Sequence, residues 1–247
     1  IYGLVNCQTA PYRPAIFTAV DDNSVGEVMG SGTPGTTKYG SGLIVTTAGN
    51  GFTNLHFAYL ERAFTSQAHL TTTLRDAQFV SCRYPVTAED TSCWFICGVS
   101  VNLHNALVQD CDTFFQGDRG TLRAEHVTLN QCGTLGVDLG EGASPHFTNS
   151  VFVGVTSLGS LPDLDGSHNG FYGSPAFGLN QIPATSSPFR SPGVGAGNHY
   201  LKSDSSFRSV GTTAINPALL TYLRKKTTQP PVVRSDLTTT TATTLAP

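Results

Sequence analysis

The chain has 247 residues, a formal net charge of −3, and 13% charged residues against a usual value of ~25% in globular domains. This balance excludes a broadly basic surface, so we expect no nucleic-acid partner. The low charge and the abundance of Thr, Ser and Asn disfavour a coiled coil or a helical bundle. Apolar runs fall far short of the ~20 residues of a membrane-spanning helix, so we expect no membrane span.

Residues 1–38 are predicted to form an N-terminal cap with lead-in strands. The chain begins at Ile1 without an initiator Met or a targeting segment, so we expect it to be a processed or excerpted part of a longer polypeptide. The stretch Gly42–Val45 reads as the first coil or as part of the cap.

One pattern recurs between residues 39 and 158, Leu-x-x-Ala-x-apolar-x-x-Cys. Its five copies are Leu55–Ala63, Leu74–Cys82, Leu103–Cys111, Ala124–Cys132 and Phe147–Val155. The two central positions lie two residues apart and share one side of a strand, whereas the flanking apolar positions fit bends. No copy can bury its apolar face alone, but stacked copies bury a continuous core.

This repeat predicts an all-β, right-handed parallel β-helix of five to seven coils. A leucine-rich repeat has a similar period, but it needs Leu at the second position and Asn at the last, where this chain has Ala and Cys. In this register Cys82, Cys111 and Cys132 form an interior column. Buried cysteine is commonly a small apolar filler, which we favour over metal or redox chemistry.

The residue after the first position of each copy is expected to face outward on one ridge: His56, Arg75, His104, Glu125 and Thr148. A polysaccharide lyase needs a base and a cation near the substrate carboxylate. His56, Arg75, His104 and Asp110 are therefore candidate substrate-binding residues. The alternative is a solvated polar face with cross-coil pairs, Arg75 with His56 and His104 with Glu125.

We expect no resident cofactor. Asp110, Asp112 and Asp118 would supply oxygen ligands for Ca²⁺, although their spacing is not that of an EF-hand loop. Cys93 and Cys97 form a C-x3-C pair without a second pair, which is weak as a zinc site. Burial or a local disulfide is the favoured interpretation of that pair.

Residues 159–232 are predicted to be rich in loops, with Asp163–Gly178 and Pro183–Gly197 as ordered loops. A helix is predicted at 217–226, because Asn216 suits its cap and Pro217 its first position. We expect this helix to cover the open end of the β-helix. The basic cluster at its end is alternatively a docking site for an acidic polymer. Residues 233–247 are predicted to be an extended Thr-rich tail or linker.

Several segments outside the repeat resemble a known group of proteins. Gly173–Gly178, Gly197–Leu201 and Ser205–Thr213 resemble the closing segment of secreted bacterial right-handed β-helix repeat proteins, of the choice-of-anchor surface type. Tyr12–Thr18 and Asp21–Glu27 are similar to large secreted β-helix proteins of environmental bacteria such as Verrucomicrobia. The resemblance implies an extracellular or cell-surface location, and it assigns no catalytic residue.

The motifs of several enzyme classes are absent: G-x-S-x-G, the phosphate-binding lysine loop, H-E-x-x-H, and the motif sets of pectin-hydrolysing β-helix enzymes. This favours a non-enzymatic extracellular structural protein, such as a scaffold, matrix or filament subunit that self-associates. The alternative is a carbohydrate-active β-helix protein, a lyase, hydrolase or binder of an extracellular polysaccharide. A viral fibre shares the fold, but would need trimer-forming ends that this sequence does not show.

Overall fold

The computed structural model describes residues 3, 5–11, 13–30, 32, 34, 39–47, 51–67, 71–89, 98–139, 142–190 and 199–225. Within these residues the chain forms twenty β-strands and one helix. Every pair of neighbouring strands is parallel, and each strand pairs with strands one coil away. The predicted all-β parallel β-helix is confirmed.

Three parallel sheets form the walls of the solenoid. Sheet 1 contains β1 (Ala15–Phe17), β4 (Leu55–Ala58), β7 (Gln78–Val80), β10 (Leu107–Gln109), β13 (Thr128–Asn130), β16 (Val151–Val153), β19 (Gly170–Tyr172) and β20 (Ile182–Pro183). Sheet 2 contains β2 (Tyr39–Val45), β5 (Leu60–Ser66), β8 (Tyr84–Glu89), β11 (Thr113–Asp118), β14 (Thr134–Asp138) and β17 (Ser157–Ser160). Sheet 3 contains β3 (Gly51–Thr53), β6 (Thr71–Arg75), β9 (Val99–His104), β12 (Gly120–Glu125), β15 (Ser144–Thr148) and β18 (Asp165–Ser167).

Each complete coil visits sheet 3, then sheet 1, then sheet 2, and the described strands make about five such turns. The register corrects the predicted alignment of the first copy. Phe52 is the partner of Leu74, and Phe57 is the partner of Phe79, so the first copy begins at Phe52 and not at Leu55. The later copies have the predicted register. The error arose because apolar residues also recur three apart in this segment, and the pattern therefore fits two frames.

Aromatic rings stack along the inside of sheet 1. The centroids of Phe57 lie 5.1 Å from those of Phe17 and of Phe79. Further along the same column the rings of Phe152 and Phe171 stack at 5.2 Å. Such pairs add about 0.5–1.5 kcal/mol each beyond the burial of their apolar area, so this column holds successive coils in register.

Two rows of residues with positive φ form the bends on either side of sheet 1. The bend before sheet 1, called the first bend below, has φ between 50° and 60° at Asn54, Asp76, Asn105, His126, Asn149 and His168. The bend after it has φ between 50° and 65° at Tyr59, Ser81, Asp110, Gln131, Gly154 and Gly173. Asn and Asp adopt this left-handed backbone more readily than other residues with a side chain, which explains why amides and carboxylates recur there.

The coils extend beyond the segment predicted for them. β1 lies within residues 1–38, and β18 and β19 lie within the stretch that was expected to be an ordered loop. Asn169 occupies the interior position that Ala77 and Ala106 occupy in earlier coils. It is fully buried because its side chain accepts from Ser150 N at 2.9 Å and donates to Phe147 O at 3.0 Å. These two bonds let the last coil contain a buried amide, which the apolar pattern does not identify as part of a repeat.

The predicted helix is confirmed as α1 (Pro217–Lys225). Asn216 caps it, since its Oδ1 accepts from Ala218 N at 2.9 Å and from Leu219 N at 3.2 Å. The helix does not cover the open end of the solenoid. It belongs to residues 199–225, here called the C-terminal strap, which lie along the flank of the coils. The predicted tail at 233–247 and the end of the predicted helix at Lys226 lie outside the described residues.

From Phe207 onward, the strap docks at successive coils in the reverse of chain order. Phe207 occupies the space beside Gly170 that a side chain there would fill. Asn149 exchanges two hydrogen bonds of 2.7 Å with the backbone of Thr212. Tyr222 then reaches Asp76, three coils earlier than Asn149. Ile215 and Leu219 are 8% and 3% exposed. The apolar side of the strap is therefore buried against the flank of the solenoid and not against its end.

Candidate functional site

The outward ridge exists, with one change in membership. The in-register residues are Thr53, Arg75, His104, Glu125, Thr148 and Ser167 at the ends of the sheet 3 strands. His56 was predicted to belong here, but it lies on β4 in sheet 1 and pairs with Ile16 and Gln78. The prediction for His56 was wrong because it followed from the misplaced first copy.

The charged residues of the ridge are paired with each other. His104 Nε2 lies 3.4 Å from Glu125 Oε2, as the cross-coil alternative predicted. Arg75 Nε lies 3.6 Å from Asp76 Oδ2, in place of the predicted partner His56. The Asn105 side-chain amide also donates to Asp76 Oδ1. Glu125 lies one coil after His104, and Asp76 follows Arg75 directly in the sequence, so both acidic partners come from the coils themselves.

Helix α1 lies over this paired group. Tyr222 donates its hydroxyl to Asp76 Oδ2 at 2.6 Å, and the Arg75 guanidinium stacks on the Tyr222 ring at 4.5 Å. The backbone N–H of Asn216 donates to Glu125 Oε1 at 3.3 Å. The side chains of Asp76 and His104 are only 5% and 11% exposed. These contacts fix the strap to the ridge and limit access to it.

The protonation of the ridge follows from its burial. Burial lowers the pKa of His104, and the positive charge of Arg75 acts in the same direction; Glu125 and Asp76 oppose this without reversing it. Burial, together with the hydrogen bond to Asp76, raises the pKa of Tyr222 to about 12. His104 is therefore neutral at pH 7 beside Glu125, and Tyr222 keeps the proton that it donates to Asp76.

Asp110 lies apart from Arg75 and His104. It occupies the bend after sheet 1, with a φ of 52°, and strand β10 separates it from His104 in its own coil. Asp112 follows it, whereas Asp118 is at the far end of β11. Among the residues that the structure describes, no three His, Cys, Asp or Glu side chains are grouped as a metal site requires. The Ca²⁺ site and the absence of a cofactor stay predictions.

The predicted cysteine column is present inside the solenoid. Cys82, Cys111 and Cys132 are free thiols with 0–2% exposure, and Cys82 N donates to Cys111 Sγ at 3.4 Å. Burial raises the pKa of Cys111 well above its usual value and that of Cys132 to about 12. All three thiols fill the core, and Cys111 and Cys132 do not form thiolates near neutral pH. Cys93 and Cys97 lie outside the described residues.

Sequence reasoning did not find three side chains that the strap contact uses. His126 and Asn149 lie on the first bend with their side chains 3.2 Å apart, and the recurrence of Asn and Asp one residue after the ridge was the signal for this row. His199 lies beside Gln109 and Asn130, which are 90 and 69 residues away in sequence. No local pattern in the sequence indicates that contact.

The outer face of sheet 3 is the second candidate surface, here called the open face. It carries two in-register rows, Thr71, Ser100, Thr121 and Ser144, and Thr73, Asn102, Arg123, His146 and Asp165. These residues are exposed or half-buried, while the intervening Thr72, Val101 and Leu122 are buried. Arg123 is exposed and has no ion-pair partner among the described residues. The open face is thus a polar surface of hydroxyl, amide and a few charged groups.

A small surface cleft lies beside the strap. Residues 183–188, 202 and 204–206 line a volume of about 210 Å³, with Lys202 and Asp204 as its charged groups.

Comparison of the chain with protein-family models, with curated proteins and with solved structures finds no match in any of the three. Of the resemblance described from the sequence, the parallel β-solenoid itself is present in the structure. Within the described residues, no helix has the length and apolar character to cross a membrane.

Proposed function

We propose that this chain is a non-enzymatic structural subunit of an extracellular or cell-surface assembly. The observation that carries the proposal is that the polar side chains of the ridge are engaged by each other and by helix α1. Arg75 and His104 were the strongest candidates for chemistry on a substrate, and they are engaged with Asp76, Glu125 and α1. A general base must reach the proton that it abstracts, and here those contacts hold the strap in place.

The ends of the solenoid support assembly by head-to-tail stacking. Sheet 2 begins at β2 and ends at β17, and among the described strands neither has a partner on its outer side. The two edges belong to opposite ends of one parallel stack, so the last coil of one copy can pair with the first coil of another. Such a heterologous contact repeats without closing and builds filaments.

An exposed leucine marks the C-terminal end. Leu179 forms an isolated parallel bridge with Ser167 of β18 and is 70% exposed. Leu139 is 56% exposed but follows β14, which is covered by β17 and is therefore not an edge strand. These two leucines are a matched pair for testing where copies meet.

The test is electron microscopy and light scattering of the purified chain at increasing concentration. We expect ordered filaments from the native chain, strong loss of assembly in Leu179→Lys, and little change in Leu139→Lys. A native chain that stays monomeric, or equal loss in both variants, would contradict assembly through the ends.

Binding of an extracellular polysaccharide is the second candidate function, and the open face is the observation that favours it. Its hydroxyl and amide rows offer hydrogen bonds to a polyhydroxylated polymer, and Arg123 offers a charge to an acidic one. Affinity electrophoresis against neutral and acidic polysaccharides tests this. We expect Arg123→Ala to weaken binding of acidic polymers and Arg208→Ala, on the strap, to leave it unchanged. Product formation from an acidic polysaccharide that Arg75→Ala or His104→Ala abolishes would overturn the non-enzymatic proposal.

The extracellular location is part of the same proposal. Its support is the resemblance of residues 173–178 and 205–213 to secreted bacterial β-helix proteins. Detection of the chain in the surface fraction of its native cell tests it.

A further inference from the structure

Three histidines lie at or next to the contact between the C-terminal strap and the solenoid; His104 is buried, and His126 and His199 are half-buried. His199 is on the strap itself, and His104 and His126 are on the coils beneath it. His104 Nε2 lies 3.4 Å from Glu125 Oε2, the other carboxylate oxygen of Glu125 accepts from the Asn216 N–H, and His126 contacts Asn149, which holds Thr212. We propose that the strap is an acid-released latch, which leaves the flank when these histidines become protonated while the coils stay folded.

His199 has the environment least suited to a charge. Its Nε2 donates to Gln109 Oε1 at 2.8 Å, and its ring packs edge-on against Phe189 with centroids 5.2 Å apart. Its Nδ1 is buried and has no hydrogen-bond partner. Protonation would place an N–H and a positive charge at Nδ1, where this N–H would have no hydrogen-bond acceptor. Burial alone lowers the pKa of His199 to about 4, with no charged group contributing.

The groups that face His104 come from both sides of the contact. On the coils, Glu125 and Asp76 favour its protonation and Arg75 opposes it. On the strap, Tyr222 contacts Asp76 and Arg75 and stays neutral, because its pKa is about 12. Burial outweighs the two carboxylates, so the pKa of His104 remains below its usual value.

His126 behaves in the same way. Burial lowers its pKa, Glu125 opposes that effect, and His104 reinforces it. The polar group nearest to its Nε2 is the side-chain amide of Asn149 at 3.2 Å. All three histidines with a lowered pKa among the described residues therefore lie at one contact.

The sign of the pH effect follows from proton linkage. A histidine whose pKa is lower in the docked form binds its proton more readily once the strap is released. Docking is thus fully favoured above the ordinary His pKa of about 6.5 and loses stability as the pH falls from there toward 4. For His199 alone, the shift from about 6.5 to about 4 raises the release equilibrium roughly 30-fold between pH 7.5 and pH 5.

Hydrogen exchange read by mass spectrometry tests the proposal on the intact chain. Exchange is followed at about pH 7.5 and about pH 5, with labelling times scaled for the intrinsic rate at each pH. We expect peptides covering 199–225 to lose protection by a factor of about 30 or more at the lower pH. Peptides covering β9 to β14 are expected to keep theirs.

Two variants separate titration from general weakening of the fold. His199→Gln keeps a side-chain N–H for Gln109, and His126→Asn suits the left-handed bend. Each variant is expected to reduce the ratio of strap exchange at pH 5 to that at pH 7.5, and His199→Gln is expected to reduce this ratio by about 30-fold. His146→Gln is the control, because His146 lies on the open face and pairs with Asp165 at 3.4 Å. Equal strap protection at both pH values, joint loss of protection in the coils, or full pH dependence in both variants would overturn the proposal.

Discussion

Replacement of Asn149 by alanine isolates what the strap contributes to stability. Asn149 accepts from Thr212 N and donates to Thr212 O, both at 2.7 Å. It also adopts a left-handed backbone with a φ of 53°. The substitution therefore removes two hydrogen bonds that join the strap to the solenoid and places a less tolerant residue in a strained bend.

Both effects have a known scale. Each intramolecular hydrogen bond contributes about 0.5–1.5 kcal/mol net, so the pair is worth about 2 kcal/mol. Left-handed backbone costs an ordinary L-residue about 1–2 kcal/mol, and Asn pays less of that cost than Ala. We expect Asn149→Ala to lower the free energy of unfolding by about 3 kcal/mol.

Asn54 provides the matched control. It has nearly the same backbone, with a φ of 52°, but its side chain bonds only to the neighbouring Thr53 Oγ1. Asn54→Ala should therefore cost about 1–2 kcal/mol, the backbone part and one local hydrogen bond. The glycine variants remove the backbone part, so Asn149→Gly should cost about 2 kcal/mol and Asn54→Gly about 0.5–1 kcal/mol.

The measurement is urea denaturation followed by circular dichroism, with hydrogen exchange of peptides 199–225 as a second readout. The reasoning is refuted if Asn149→Gly costs no more than Asn54→Gly. It is also refuted if Asn149→Ala lowers protection in the coils and leaves the strap unaffected.

Two further outcomes are expected. Gly117→Ala should destabilise the chain by about 1–3 kcal/mol, because a methyl there would lie 2.8 Å from the Ala143 methyl and 3.0 Å from the Phe115 ring. Gly51→Ala is the control, since a methyl at Gly51 meets nothing within 4 Å. Equal melting temperatures for the two variants would contradict the tight packing around Gly117. Alkylation at pH 8 with site-resolved mass spectrometry should label Cys82, Cys111 and Cys132 only after denaturation, since all three side chains are buried and burial also raises the pKa of Cys111 and Cys132. Rapid labelling of Cys111 in the native chain would contradict its burial.

The sequence was sufficient for the coils because their interior positions repeat. Leu103, Val108 and Cys111 recur at fixed intervals within a copy, and stacking is the only way for so short a unit to bury them. The helix could also be predicted, because Asn216 and Pro217 are local signals that act within one turn. The last coil was missed because Asn169 and Gly166 stand where the other copies have apolar residues.

Only part of the candidate site could be predicted from the sequence. The pairing of His104 with Glu125 follows from the spacing of adjacent coils, and it was predicted. The exclusion of His56 depends on strand register, which an apolar pattern with two possible frames does not specify. The contacts of Tyr222 with Asp76 and of His199 with Gln109 join residues 146 and 90 positions apart.

The sequence by itself determined that this protein is a stack of short parallel strands with one capped helix, because local spacing and periodic burial decide both. Only the tertiary structure decided that the helix lies along the flank, where it engages the ridge through Tyr222 and Asn216. The physical reason is that docking depends on which surfaces are left apolar and unpaired once the coils have formed. That is a property of the assembled solenoid and not of any one segment.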